Sequence, residues 1–195
     1  MKNLNDTLKL PGMYLYYGFL LAGIPVLLLF PKGDVVVYLN QQHHPLADVF
    51  FRFWTWWGDG LVFVPVMLFF LFRNWFFFFL ITLAVIFQTL LVQRLKRWIF
   101  SDVVRPRLFF DTFDQFHIPP EVVIHGHHAF PSGHTATAFT LALLFSIFLK
   151  ERSISIFLFL AALLVGISRI YLLQHFFIDV YFGSMAGVLV VLMSL

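Results

Sequence analysis

The sequence predicts an all-α polytopic membrane protein, a six-transmembrane-helix bundle with its active site at the extracytoplasmic face, on three observations. Of the 195 residues 61% are hydrophobic and 12% charged, with 28 phenylalanines, whereas soluble domains run at roughly 45–50% apolar and roughly 25% charged. The apolar residues fall into six runs close to the about 17–25 residues that cross roughly 30 Å of hydrocarbon. The polar residues gather at the breaks between those runs. No linker, charge run or internal repeat divides the chain, so residues 1–195 read as a single membrane-embedded domain.

Met13–Phe30 is the first span. It follows Lys2 and Lys9, and because no small-residue cleavage site follows it, it reads as an uncleaved anchor. Trp56–Phe72 is the second, interrupted at its start by Gly58 and Asp59. Trp75–Gln93, Ser132–Leu149, Ser153–Leu173 and Phe176–Leu195 complete the set. The tight breaks Arg73-Asn74 and Lys150-Glu151-Arg152 share the side of the N-terminus, and their positive charge makes that side cytoplasmic, with both termini inside. Two longer segments, about Pro31–Thr55 and Arg94–Pro131, fall on the opposite face. The stretch FFRFWTWW at 50–57 reads as an interfacial amphipathic helix or an aromatic belt.

Zero cysteines exclude disulfides, thiolate metal sites and cysteine nucleophiles. The net charge of +3 is small and the basic residues are scattered, which gives no support to a nucleic-acid partner and favours an anion met at a few points, besides the bilayer itself.

Four distant segments bring polar side chains to the outer face: Arg94, Lys96 and Arg97; then Arg105 and Arg107; then Ser132, Gly133 and His134; then Arg169, His175 and Asp179. Single cations at span ends snorkel to the interface. Together, guanidinium forks and a lysine make a phosphate the natural ligand. FPSGHTATAF begins a helix with Ser132 near its cap and Gly133 allowing close backbone approach, so free N–H groups face an anion; a plain Pro-Ser helix start is the simpler reading. His134 projects from the first turn as a candidate general acid. His175 and Asp179 lie four apart, about 40° around a helix, on one face. An aspartate that fixes the tautomer leaves the other ring nitrogen free to attack, which makes His175 a candidate nucleophile. The alternative is a His–Asp pair that only ties two helices together.

KRWIFSDVVRP (96–106), PSGH (131–134) and SRIYLLQHFFID (168–179) resemble the three signature motifs of the type-2 phosphatidic acid phosphatase superfamily, which includes membrane lipid phosphatases and vanadium haloperoxidases. The resemblance implies that His175 attacks phosphorus to give a phosphohistidine and that Asp179 orients it. It implies that His134 protonates the leaving alcohol and then activates water, while Lys96, Arg105, Ser132, Gly133 and Arg169 bind the phosphate oxygens. No metal or other cofactor is implied. The implied substrate is a phosphorylated membrane lipid, with lipid A, prenyl diphosphate, phosphatidylglycerophosphate and phosphatidate all open, and the implied location is a bacterial inner or plasma membrane with the site facing the periplasm or exterior.

The first motif departs from the usual six residues between lysine and arginine, because Lys96 and Arg105 have eight between them. Nine positions is about 180° around a helix, so both reach one phosphate only if the helix ends between them, near Ser101-Asp102. Arg97 is the alternative to Lys96. His125, His127 and His128 suggest zinc, but no carboxylate or thiolate at convincing spacing accompanies them, so they read as a polar or substrate-lining loop. His43 and His44 read as surface residues. Two other function classes compete: a transporter or lipid-binding protein with an anion site at its outer face, and, more weakly, a haloperoxidase.

Overall fold

The computed structural model describes residues 4–195; Lys2 lies outside the described residues. All regular structure among them is helical. In chain order the α-helices are α1 (Leu4–Leu8), α2 (Pro11–Leu29), α3 (Asp34–Gln41), α4 (Pro45–Trp54), α5 (Phe63–Arg73), α6 (Trp75–Arg94), α7 (Pro106–Phe109), α8 (Gly133–Leu149), α9 (Arg152–Tyr171) and α10 (Phe177–Ser194).

Local chemistry sets the boundaries. Pro11 opens α2, where its missing N–H costs nothing. His44 caps α4 by accepting from the Leu46 N–H at 3.2 Å, and Asn74 caps α6 by accepting from the Phe77 N–H at 3.2 Å. Asn74 thus both ends α5 and starts α6, which makes the Arg73-Asn74 break a tight antiparallel corner. Lys150 closes α8 in the left-handed conformation, φ 61°.

Four helical stretches are long and apolar enough to cross a membrane: 11–29, 75–99, 152–171 and 177–194. Two corrections to the expected spans follow. The second is a bent pair, Pro45–Gly58 and Gly60–Arg73, meeting at 55°, because Gly58 and Asp59 interrupt the helical ladder there; FFRFWTWW forms the end of α4 and the 3-10 turn at that bend. The third runs past Gln93 to Ile99, its last five residues wound as a π-helix. With the bent pair the count is four to five, not the expected six; α8, at 17 residues, falls short of that length and lies at the centre, Thr135 to Leu144 all being buried.

Small residues let the helices close around α8. A Cβ on Gly183 of α10 would sit 2.6 Å from the Ser132 carbonyl, and one on Gly166 of α9 would sit 2.7 Å from Val180 Cγ1. Such close approach substitutes for the hydrophobic driving force that lipid does not supply. On the outside, Leu21, Leu28, Trp75, Phe79, Leu83, Leu90, Phe157 and Leu160 present apolar side chains, the surface that lipid tails solvate. One turn into the bundle from Ser132, Gln88 Nε2 donates to Thr137 Oγ1 at 2.8 Å, and the Thr140 hydroxyl donates to Gln88 Oε1 at 2.8 Å and the Gly187 carbonyl at 3.1 Å.

Candidate active site

The segment that carries His175 is a helix end folded back on itself. The Gln174 N–H donates to the Arg169 carbonyl at 2.9 Å and the Leu173 N–H to the Ile170 carbonyl at 3.0 Å, the paired bonds of a Schellman turn. The turn needs a left-handed residue, and Leu173 fills that place at φ 57°. A non-glycine residue there costs on the order of 1 kcal/mol, offset here by burial of its side chain in an apolar cluster with Val36, Ile170 and Phe176. The result returns the His175 N–H to the Arg169 carbonyl at 3.1 Å, so the two motif residues stand side by side at the end of α9.

His175 Nδ1 lies 3.4 Å from Asp179 Oδ2, and both side chains are almost fully buried. Oδ2 also accepts from the Phe176 N–H at 3.0 Å, which fixes the carboxylate at the start of α10. His175 Nε2 makes no hydrogen bond among the described residues. Burial, and after it the cations of Arg105, Lys96 and Arg169, hold the His175 imidazole well below its ordinary pKa, so the ring is neutral and its free nitrogen keeps a lone pair.

Ser132 caps α8, its Oγ accepting from the Thr135 N–H at 3.4 Å. Its own N–H donates to the Asp179 carbonyl at 2.9 Å, which ties the first turn of α8 to the first turn of α10. A Cβ on Gly133 would sit 3.9 Å from Lys96 Nζ, which places the ammonium at the start of α8. His134 follows, half-buried, with Nε2 3.8 Å from Asp59 Oδ2.

Three cations complete the ring. The expected break between Lys96 and Arg105 is present: the helix ends after the π-turn at Ile99, and Ser101-Asp102 make a turn. Lys96 points to Gly133, while Arg97 is exposed. Arg105 is buried and held along one edge, Nε donating to the His127 carbonyl at 2.9 Å and Nη1 to the Gln174 carbonyl and Oε1, both at 3.1 Å. Arg169 Nη1 donates to Thr55 Oγ1 at 2.9 Å, while its Nε is buried without a partner. All three cations bear on His175 and also on His125, which burial first and then Arg105, Arg169 and Lys96 push below its ordinary pKa.

The eight expected site residues therefore converge, and the structure adds four. Thr55 and Asp59 come from the bend between α4 and α5 and share a cavity of about 250 Å³ with His125, His134 and Arg169. Gly58 makes that approach possible: a Cβ on it would lie 2.6 Å from the His134 carbonyl and 2.6 Å from Val165 Cγ1. Gln174, inside the third motif, locks Arg105 and donates through Nε2 to the Val123 carbonyl at 3.0 Å, pinning the loop before α8. An ionisable residue interrupting an apolar run was the one signal that pointed to Asp59; Thr55 and Gln174 carried none.

Of the other histidines, His128 Nδ1 lies 3.3 Å from the Lys96 carbonyl, and His127 supplies the carbonyl that holds Arg105. Among the described residues no three His, Cys, Asp or Glu side chains are arranged to hold a metal ion. His43 stacks on His117 with ring centroids 4.0 Å apart, and His117 pairs with Asp48 at 2.8 Å, which fastens the loop before α8 to α4.

The sequence profile of the PAP2 superfamily matches residues 73–195. The crystal structure of Aquifex aeolicus LpxE superimposes with a TM-score of 0.74 at 31% sequence identity, over 85% of this chain and 96% of that one. The crystal structure of the first transmembrane PAP2 type phosphatidylglycerolphosphate phosphatase from Bacillus subtilis shares the fold, with a TM-score of 0.68 at 24% identity over 93% of this chain and 91% of that one. No curated protein sequence matches the chain.

Proposed function

The chain belongs to the PAP2 superfamily, and on that premise we propose that it is a lipid phosphatase of a bacterial inner or plasma membrane that removes phosphate from a lipid head group through a phosphohistidine. One observation carries the reading: a neutral, buried His175, oriented by Asp179, stands within the field of three cations. Three cations against the carboxylates of Asp179 and Asp59 leave a net positive charge, which suits a phosphate monoester of about −1.5 to −2 near neutral pH.

In the first half-reaction His175 Nε2 attacks phosphorus, the P–O bond to the lipid breaks, and His134 gives its proton to the leaving alkoxide. In the second, water attacks phosphorus, the N–P bond breaks, and His134 takes the water's proton. Lys96, Arg105, Arg169, the Ser132 hydroxyl and the Gly133 N–H hold the equatorial oxygens, whose charge shifts in the transition state. Asp179 keeps the attacking ring in place throughout.

A lipid substrate is favoured by a second, apolar cavity of about 340 Å³ between the bent pair, α8 and α9, lined among others by Trp54, Val66, Ala138, Phe145 and Val165. Ala138 follows His134 by one turn and Val165 precedes Arg169 by one turn, so a tail seated there leads its phosphate to the cations. Six spans with the site outside and both termini inside complete the reading.

The test is phosphate release by the detergent-solubilised protein from a panel of phosphatidate, phosphatidylglycerophosphate, prenyl diphosphate and lipid A. Hydrolysis of at least one, persisting in EDTA and stopped by vanadate, which mimics the five-coordinate transition state, is expected. Loss on chelation with recovery on zinc would overturn the metal-free chemistry. The face is tested by labelling intact cells with an impermeant thiol reagent: Val123→Cys reacts and Glu151→Cys does not, in a chain without cysteines of its own.

A further inference from the structure

The bend between α4 and α5 lies outside residues 73–195, the segment that matches the family, yet it is docked on two of the groups assigned to the reaction. Gly58 is packed on the His134 carbonyl and Cβ, and Thr55 accepts from Arg169. Asp59 is held by its own backbone and cap: its N–H donates to the Trp56 carbonyl at 2.9 Å, and its Oδ1 accepts from the Leu61 N–H at 2.8 Å. Oδ2 is left over, and it faces His134 Nε2 at 3.8 Å across the cavity both residues line.

Resting on the reading above, we infer that Asp59 is the positioning residue of His134, a fixed carboxylate that orients its imidazole and offsets the positive charge the ring carries as a general acid. The site then holds two His–Asp pairs with different duties. Asp179 serves the ring that attacks phosphorus, and Asp59 serves the ring that handles the proton. The need is physical. His134 becomes an imidazolium when it takes a proton from water, beside Lys96, Arg105 and Arg169, and like charges crowded at low dielectric repel one another. An anion fixed on the opposite wall opposes that repulsion without touching phosphate. The separation of 3.8 Å is long for a hydrogen bond, as catalytic pairs often are before substrate closes the site.

Asp59→Asn isolates the charge, because asparagine caps a helical turn as well as aspartate does and Oδ1 can still accept from Leu61. The rate is measured on an alkyl phosphomonoester, whose leaving group needs a proton, and on nitrophenyl phosphate, whose leaving group does not. Asp59→Asn is expected to lose at least about tenfold more on the alkyl ester than on the nitrophenyl ester, a share of the 10²–10⁴-fold worth of a general acid. Asp59→Glu, which keeps the charge, is expected to keep the wild-type ratio of the two rates even if both fall. Equal losses on the two substrates would overturn the inference, because a fault in the cap or in Arg169 slows both alike. His134→Ala run in parallel separates the two readings. A leaving-group dependence in His134→Ala but not in Asp59→Asn sinks this inference alone, whereas its absence from His134→Ala overturns the general-acid reading beneath it.

Discussion

Two polar regions lie a turn or two apart inside this apolar bundle, and they differ in how their hydrogen bonds are completed. In the layer of Gln88, Thr137, Thr140 and the Gly187 carbonyl, donors and acceptors meet one another at 2.8–3.1 Å. In the ring above it, Arg169 Nε and Asp179 Oδ1 are buried with no partner among the described residues, and three cations converge on two histidines. A buried polar atom left unpaired costs about 1–3 kcal/mol, so a completed layer is explained by stability and an incomplete ring by chemistry. The third unpartnered atom, Thr7 Oγ1, belongs to α1 and to none of the three motifs. The lesson concerns which buried polar residues to suspect: those whose partners are missing.

The sharpest way to break this division is His175→Ala. It removes the nitrogen proposed to take the phosphoryl group while leaving the completed layer intact, so hydrolysis should fall to background, no acid-labile phosphoenzyme should form, and the thermal unfolding midpoint should move little. A protein that loses its fold along with its activity would erase the distinction. The same residue gives a pH test without mutation. Because burial and the cations lower its pKa, the reactive neutral form is fully present at pH 6.5 and is lost only as pH falls through the depressed value. The acid limb of phosphoenzyme formation in single turnover should therefore lie below about 6.5, the ordinary histidine value; a limb at or above it would mean that His175 is not shielded as the structure has it.

His134→Ala comes next in size. Loss of a general acid and base is worth about 10²–10⁴-fold each, but the nucleophile and the cations remain. With nitrophenyl phosphate, whose leaving group needs no proton, this variant should phosphorylate His175 and then stall before water attacks. Label trapped on His134→Ala and absent from His175→Ala would fix the two duties; the reverse pattern would exchange them.

How much of this was legible in the sequence follows from distance along the chain. His175 and Asp179 are four residues apart and PSGH is contiguous, so local spacing carries them. Lys96 and Arg105 were legible as a pair only with a break between them, and the π-turn ending at Ile99 supplies it. The Thr55–Arg169 bond spans 114 positions and the Arg105–Gln174 bond spans 69, and no periodicity reports contacts of that reach. The second span was misread for a related reason. Gly58 and Asp59 were legible as an interruption, but the sequence did not show that the helix before them, from Pro45, is the other arm of a 55° bend. Gln174 tests that reach. Gln174→Leu keeps the volume but removes the acceptor for Arg105 and the donor to Val123. The expected effect is about tenfold in kcat/KM, about 1.4 kcal/mol of transition-state binding, with the loss seen on alkyl and nitrophenyl esters alike because Arg105 serves phosphate rather than the leaving group. A leaving-group dependence would instead tie Gln174 to His134.

The smallest effect is expected in the completed layer, and it decides whether completeness means structure. Thr140→Val keeps the shape of the side chain and removes its hydroxyl, so Gln88 Oε1 and the Gly187 carbonyl lose the one donor they share. Hydrogen bonds between membrane helices average about 0.6 kcal/mol and reach about 1.7, and a stranded buried acceptor adds to that, so a destabilisation of about 1–2 kcal/mol follows, read as a lowered midpoint in denaturant or heat. Gln88→Leu should cost less, because it removes the group that would otherwise be stranded, and the Thr140 hydroxyl keeps the Gly187 carbonyl. Neither change touches a cation or a histidine of the ring, so kcat/KM at a temperature where both variants are folded should stay within about twofold of the wild type. If either variant loses activity out of proportion to its stability, the layer transmits to the ring through the first turns of α8, and completed hydrogen bonding no longer marks a residue as purely structural in this bundle.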